Sequence, residues 1–213
     1  TGYKTEDFTV APLQSHLDQY PDSALLSIFS GDFVQWYFEG IKTAFGDEKI
    51  PIYLPPFGFE ESMLATTEYP NNTIKGIAAW SKKIKSPENK IFTETITAAG
   101  RTPNLFSLLS WESATIALKV LELMDQHKNN IVKIAASLQS FEFISPRGNI
   151  YFDSKTNTSI SPLYKASIVA NPEGKCEVQL EGEADAIHEN FEQLTNENLN
   201  QSRSAWYNSY VCI

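Results

Sequence analysis

The feature that most constrains this 213-residue chain is the alternation, near its start, of short apolar runs with longer amphipathic stretches. Ser23-Ala-Leu-Leu-Ser-Ile-Phe29 is apolar without a two-residue period, as expected of a strand covered on both faces of a parallel sheet. Ser30-Gly31-Asp32 follows as a tight turn, and Phe33 to Phe45 carries Phe33, Tyr37, Ile41 and Ala44 at helical spacing. The order then repeats. Ile50 to Leu54 is a second strand, ended by Pro55-Pro56-Phe57-Gly58; Glu60 to Ala65 is a short helix, and Thr73 to Trp80 a third strand. Strands alternating with helices at these lengths predict an α/β fold, a doubly wound sheet with right-handed crossovers.

Before this unit, Asp7 is placed to cap a helix carrying Val10, Leu13 and Leu17, which stops at Tyr20-Pro21. After it, Ser81 to Asn89 holds Lys82, Lys83, Lys85 and Pro87 without an apolar period and reads as a surface connection. Thr102-Pro103 suits a helix start, and Leu105 to His127 supports one or two long helical segments. Ile131 to Leu138 is a further helix, leading into the strand Asn149 to Asp153. Two more strands, Leu163 to Ala170 and Cys176 to Leu180, flank the turn Asn171 to Gly174. Ala184 to Leu199 has helical spacing, and an aromatic segment, Ala205 to Ile213, ends the sequence.

Charge and cysteine usage narrow the function classes. With 26 acidic against 17 basic residues, the chain has no strongly positive surface to neutralise phosphates, so nucleic acid and anionic membranes are poor partners. No apolar run approaches the ~20 residues that span a bilayer, and Thr1 to Thr9 lack the basic start and apolar stretch of a signal peptide. Cys176 and Cys212 fit no zinc framework; they are either one disulfide, implying an oxidising compartment, or two unpaired thiols. Three glycosylation sequons, at Asn71, Asn157 and Asn200, carry no weight.

Residues for catalysis or metal binding do not cluster. His16, His127 and His188 are scattered, and no nucleophile elbow, Walker loop or dinucleotide fingerprint is present. Asp153-x-Lys-x-Asn resembles a calcium loop only superficially. Glu60 and Glu61, adjacent on a helix, point apart and read as a solvated acidic turn. No metal or cofactor is implied. A ligand instead suits the strand-end turns, since ligands of open parallel sheets bind beyond the carboxyl ends of the strands. The candidates are Ser30, Gly31, Asp32 and Phe33 after the first strand, Pro56 and Phe57 after the second, and Phe106 with Ser107 at the long helix's start. Helix capping by Ser30 or Asp32, and core packing of Phe57 and Phe106, are the competing roles.

Taken in order, Asp7-Phe8, Pro21-Asp22, Ser30-Gly31, the Ala-containing helix from Trp111 to Leu123, Gly148-Asn-Ile-Tyr-Phe-Asp153 and Pro162-Leu-Tyr164 resemble the type I periplasmic binding proteins, over about residues 5 to 172. The branched-chain amino acid and amide receptors are the nearest group. The resemblance implies two Rossmann-like lobes with parallel central sheets, here lacking much of the N-terminal lobe. Residues 1–82 with 163–182 form the second lobe, 83–162 return to the first, and 183–213 form a tail packing on a lobe. It also implies capture of an amino acid or amide between the lobes, without catalysis, for a membrane ABC permease. The implied location is periplasmic or extracellular, with a lipid anchor on a missing N-terminus as one form of it. The second-lobe contact positions fall at Ser30 to Phe33 and at Pro56 and Phe57, and the hinge-side aromatic near Phe106. The family's second-lobe tyrosine and glutamate have no clear counterpart, so leucine-like specificity does not carry over. A ligand-sensing regulatory domain of the same fold is the alternative role.

Overall fold

A computed structural model of the chain describes residues 11–28, 33–46 and 49–200. It divides into two compact units, residues 1–183 and 184–213. In the first unit, helix α1 (Ala11–Gln19) precedes strand β1 (Leu25–Leu26), helix α2 (Val34–Phe45) and strand β2 (Pro51–Leu54). A 3-10 turn (Pro56–Phe59), helix α3 (Glu61–Leu64) and strand β3 (Thr73–Ala78) follow. Helices α4 (Pro87–Ala98), α5 (Leu105–Gln126) and α6 (Ile131–Gln139) come next. Strands β4 (Phe143–Ser145), β5 (Gly148–Phe152), β6 (Ser159–Ile160), β7 (Tyr164–Ala170) and β8 (Cys176–Glu183) complete the unit. The second unit contains helix α7 (Ile187–Asn200). No helix among the described residues is long and apolar enough to cross a membrane.

The main sheet has the order β1-β2-β3-β7-β8, with β1, β2 and β3 parallel and β7 and β8 antiparallel to their neighbours. Its register explains its core. Leu25, Ile52, Ile74, Ile168 and Val178 are successive register partners across all five strands, and every one is buried. Val34, Phe38, Ile41 and Phe45 of α2 and Leu64 of α3 join them in one apolar cluster. The next row, Leu26, Tyr53, Lys75, Ser167 and Gln179, faces the other way. There Leu26 is 71% exposed and Tyr53 46%. The expectation of a first strand covered on both faces is therefore corrected: β1 is a two-residue edge strand, buried on one side only. Gly76 keeps β3 against β2, because a Cβ there would lie 2.0 Å from the Leu54 carbonyl oxygen.

A second apolar cluster gathers Trp80, Phe92, Leu105 and Leu108, with Trp111 and Leu163 against it. Phe92 meets Trp80 and Trp111 edge-on, each pair of ring centroids 5.6 Å apart. Here the expected surface connection is also corrected: Ser81 and Asn89 are buried, and α4 begins at Pro87, capped by the Ser86 hydroxyl, which accepts from Asn89 N–H at 3.0 Å. Asn89 replaces an apolar side with a polar hub. Its amide nitrogen donates to the carbonyls of Ile84, Ser81 and Lys82 at 2.8, 3.2 and 3.3 Å, and its oxygen accepts from the Trp80 indole at 2.8 Å. The cap of α5 lies at Asn104, not at Thr102-Pro103. Asn104 and Ser107 bond reciprocally, each side chain accepting the other's backbone N–H at 2.8 and 2.9 Å.

Strands β4, β5 and β6 make a separate antiparallel sheet, and a buried ion pair fastens its first hairpin to α5. The Arg147 guanidinium donates to both Glu112 carboxylate oxygens at 2.7 Å, and the Ser145 hydroxyl adds a third bond at 2.5 Å. The Tyr164 hydroxyl donates to the Arg147 carbonyl at 2.7 Å, tying the hairpin to the returning strand β7.

Candidate functional site

The carboxyl ends of β1, β2 and β3 and the start of α5 are where the candidate residues fall. After β1, Ser27 N–H donates to the Tyr53 carbonyl at 3.0 Å, and the Ser27 and Tyr37 hydroxyls share a hydrogen bond. Burial pushes the Tyr37 phenol up, and the Ser27 bond opposes this. Ser30, Gly31 and Asp32 lie outside the described residues. Phe33 occupies the N-cap position of α2 in a helical backbone conformation, half-buried.

After β2, the prolines hold the chain in a 3-10 turn, in which Gly58 N–H donates to the Pro55 carbonyl at 2.9 Å. The turn buries Phe59 and leaves Phe57 50% exposed; Phe106, on the first turn of α5, is 52% exposed. Neither Phe57 nor Phe106 is a core residue. Ser107 completes the α5 cap.

Glu60 joins these two segments. One carboxylate oxygen accepts from Ser62 N–H and hydroxyl at 2.9 and 2.7 Å, and the other from Leu105 N–H at 2.9 Å. The turn bearing Phe57 and the helix start bearing Phe106 are thus linked by one buried carboxylate. The reading of Glu60 and Glu61 as a solvated acidic turn is corrected: Glu60 is buried and the Glu61 side chain nearly so. They do point apart, Glu61 toward the Ser81 hydroxyl, which donates to its Oε1. The Glu60 contact lies 45 residues away in sequence, so no local pattern announces it.

The second oxygen of Glu61 is buried with no hydrogen bond, 3.9 Å from Lys82 Nζ. It lines a cavity of about 270 Å³ shared with Lys83, Cys176 and Val178. Burial raises the Glu61 carboxyl above its ordinary 4.5, against the opposing pull of Ser81 and Lys82. A raised value means that its contribution to stability is present at low pH and is lost as pH rises through that value. Glu61→Gln is therefore expected to melt higher than the wild type at about pH 8, the difference shrinking toward pH 4. Melting curves across that range check it, and a constant difference would contradict the assignment.

Cys176 is a buried thiol pushed up to about 12 by burial; Cys212, and with it the disulfide, lies outside the described residues. His127 shares a hydrogen bond with Ser137 at 3.0 Å, and the His16 ring lies 4.9 Å from that of Tyr20. Asp153 closes its own turn, accepting from the N–H groups of Lys155 and Thr156 and from the Thr156 hydroxyl. Among the described residues no group of three or more His, Cys, Asp or Glu is placed to hold a metal ion.

No family model matches the chain, and no curated protein does. Solved structures do. A solute-binding protein of an ABC transporter from Rhodopseudomonas palustris, in complex with 3,4-dihydroxybenzoic acid, superposes with a TM-score of 0.67 at 15% identity, over 83% of this chain and 49% of that one. The fold is that of a type I periplasmic binding protein. An ABC transporter substrate-binding protein from Sphaerobacter thermophilus gives 0.67 at 16% identity, over 83% and 49% of the two chains. A leucine-binding protein from Thermotoga maritima gives 0.62 at 13%, over 85% and 50%. The chain thus spans about half the length of these periplasmic binding proteins. In this fold the strand-end turns holding Phe33 and Phe57 belong to the five-stranded sheet, whereas Phe106 belongs to the helices of the second cluster.

Proposed function

We propose that the chain is part of an extracytoplasmic receptor that captures a small organic acid with an apolar or aromatic body, without chemical change, for a membrane ABC permease. Residues 1–82 and 163–182 make one lobe and 83–162 return to the other, with 183–213 as a tail. Two separate buried clusters support a division close to those bounds, the second also taking in Ala79, Trp80 and Leu163 next to the register pair of Ala78 with Tyr164, where the chain leaves and re-enters the main sheet. The observation that carries the ligand reading is the pair of exposed rings, Phe57 and Phe106, on segments joined by Glu60. Exposed aromatics at a strand end and at a helix start suit the apolar body of a ligand. The ligands named for similar structures, leucine and hydroxybenzoates, have in common a carboxylate on an apolar body. Ser30, Gly31, Asp32, Phe33, Pro56 and Ser107 complete the proposed contacts.

The test is a thermal-shift screen of the receptor polypeptide against leucine, benzoate, 4-hydroxybenzoate, acetamide and glucose, because a ligand bound only by the folded state raises its melting point. A rise with leucine or a benzoate alone supports the reading; a rise with glucose alone, or with none, rejects it. Phe57→Ala and Phe106→Ala are each expected to weaken binding about tenfold, or about 1.4 kcal/mol, by titration calorimetry. Since both rings are half exposed, the ligand-free melting point stays within a degree or two.

A further inference from the structure

We propose that the cavity between α3 and the edge strand β8 is a second binding site, which takes a small zwitterion with its ammonium group on Glu61 Oε2 and its acid group on Lys82. None of the residues lining it is among the contacts proposed above, so it stands apart from that reading. The Glu61 side chain is 9% exposed and lines this cavity of about 270 Å³. Its Oε1 accepts from the Ser81 hydroxyl, whereas its buried Oε2 accepts no hydrogen bond from any described residue. A carboxylate oxygen buried without a donor is costly, more so than a neutral acceptor, and the cavity beside it has room for one. In a protein core, roughly 150 Å³ already admits a six-carbon ring.

The charges around the cavity select the ligand. The Lys82 ammonium stands 3.9 Å from Glu61 Oε2, beyond hydrogen-bond reach, and its side chain is 63% exposed. The other cation is already engaged: Lys83 Nζ donates to the Glu177 carboxylate at 2.5 Å and to the Val178 carbonyl at 2.8 Å. That bond holds the Glu177 carboxyl below its ordinary value, so Glu177 is ionised. Glu61, Glu177, Lys82 and Lys83 then sum to zero, with one open acceptor beside one ammonium. A lone amine sets a second cation against Lys82, and a lone acid sets a second anion against Glu61. An uncharged apolar molecule leaves Oε2 unpaired. A zwitterion answers both groups and keeps the sum at zero. The walls are Leu64, Ala65, Cys176 and Val178, and the Cys176 thiol is already turned to the Glu68 carbonyl at 3.6 Å, so they offer apolar contact to a short carbon chain. An ammonium group at Oε2 also opposes the burial that raises the Glu61 carboxyl.

The experiment is a titration of the isotope-labelled protein, followed residue by residue through its backbone amide resonances. Glycine, β-alanine and taurine are the zwitterions; ethylamine, acetate and acetamide lack one charge or both. Saturable shifts at residues 62–65, 82–83 and 176–178 are expected with at least one zwitterion, at the affinity of about 1 mM that so small a ligand reaches. Glu61→Gln and Lys82→Met are each expected to weaken binding about tenfold. Ala65→Leu, which fills the cavity from an exposed position and touches neither charge, is expected to abolish it. No saturable shift with any zwitterion overturns the proposal, as does ethylamine, acetate or acetamide binding as tightly, because the two charges are then not read together. Unchanged affinity in Ala65→Leu also overturns it. Shifts confined to residues 57, 106 and 107 put the zwitterion in the other site and overturn it too. Whether organic acids bind at Phe57 and Phe106 is read at those separate resonances, so either site can fail without the other.

Discussion

Glu112→Ala is expected to lower stability by about 3–5 kcal/mol, because it strands a buried guanidinium without its counter-charge. Arg147 and Glu112 are both buried and joined by two 2.7 Å bonds, and Ser145 loses its 2.5 Å acceptor as well. For a chain of this length each kcal/mol moves the melting point about 2–4 °C, so the drop is about 6–20 °C. The ion pair is not irreplaceable, since apolar residues of similar volume often substitute for a buried pair. Glu112→Leu combined with Arg147→Met therefore recovers most of the loss. Thermal denaturation of the single and double variants decides. A single variant costing less than about 1 kcal/mol would mean that water reaches the guanidinium, and a double variant no better than the single would mean that the pair fixes the hairpin geometry on α5.

Asn89→Ala comes next in expected effect. The variant removes the acceptor of the Trp80 indole and the donor to the carbonyls of Ser81, Lys82 and Ile84, leaving buried polar groups that each cost about 1–3 kcal/mol when unpaired. Lys82 is exposed and its carbonyl can turn to water, so a net loss of about 2–5 kcal/mol is expected. Because the lost bonds hold residues 81–84, amide hydrogen exchange should quicken there before it does in β2 or β3. Uniform acceleration across the chain would instead mean that Asn89 supports the whole unit and not this crossover.

Much of the fold was legible where one periodicity dominates. Helices α2, α5 and α6 and strands β2, β5, β7 and β8 begin within about two residues of where spacing puts them. Helix α4 was not, because its most buried position besides Phe92 is an asparagine, and a polar hub leaves no apolar period to read. Its capping signal, Ser86 before Pro87, was present in the sequence. Strands β4 and β6 are too short to show a period. For β1, a continuous apolar run says nothing about whether both faces are covered, and Leu26 is 71% exposed. In the candidate site, strand-end position pointed to Phe57 and a helix start to Phe106, but their linkage by Glu60 joins distant segments and is visible only in three dimensions.

The pairing of β3 with β7 has a consequence for synthesis. Residue 78 sits beside residue 164, so on a ribosome the backbone edge of β3 stays unpaired until residues 79–163 have been made. At about 5–20 residues per second that interval lasts several seconds, with a parallel three-stranded sheet presenting an open edge. Lys75, at the middle of that edge, is a charged residue of the kind that discourages pairing with a stray strand. Replacing it with an apolar residue would leave the finished fold intact and make the nascent chain the vulnerable species.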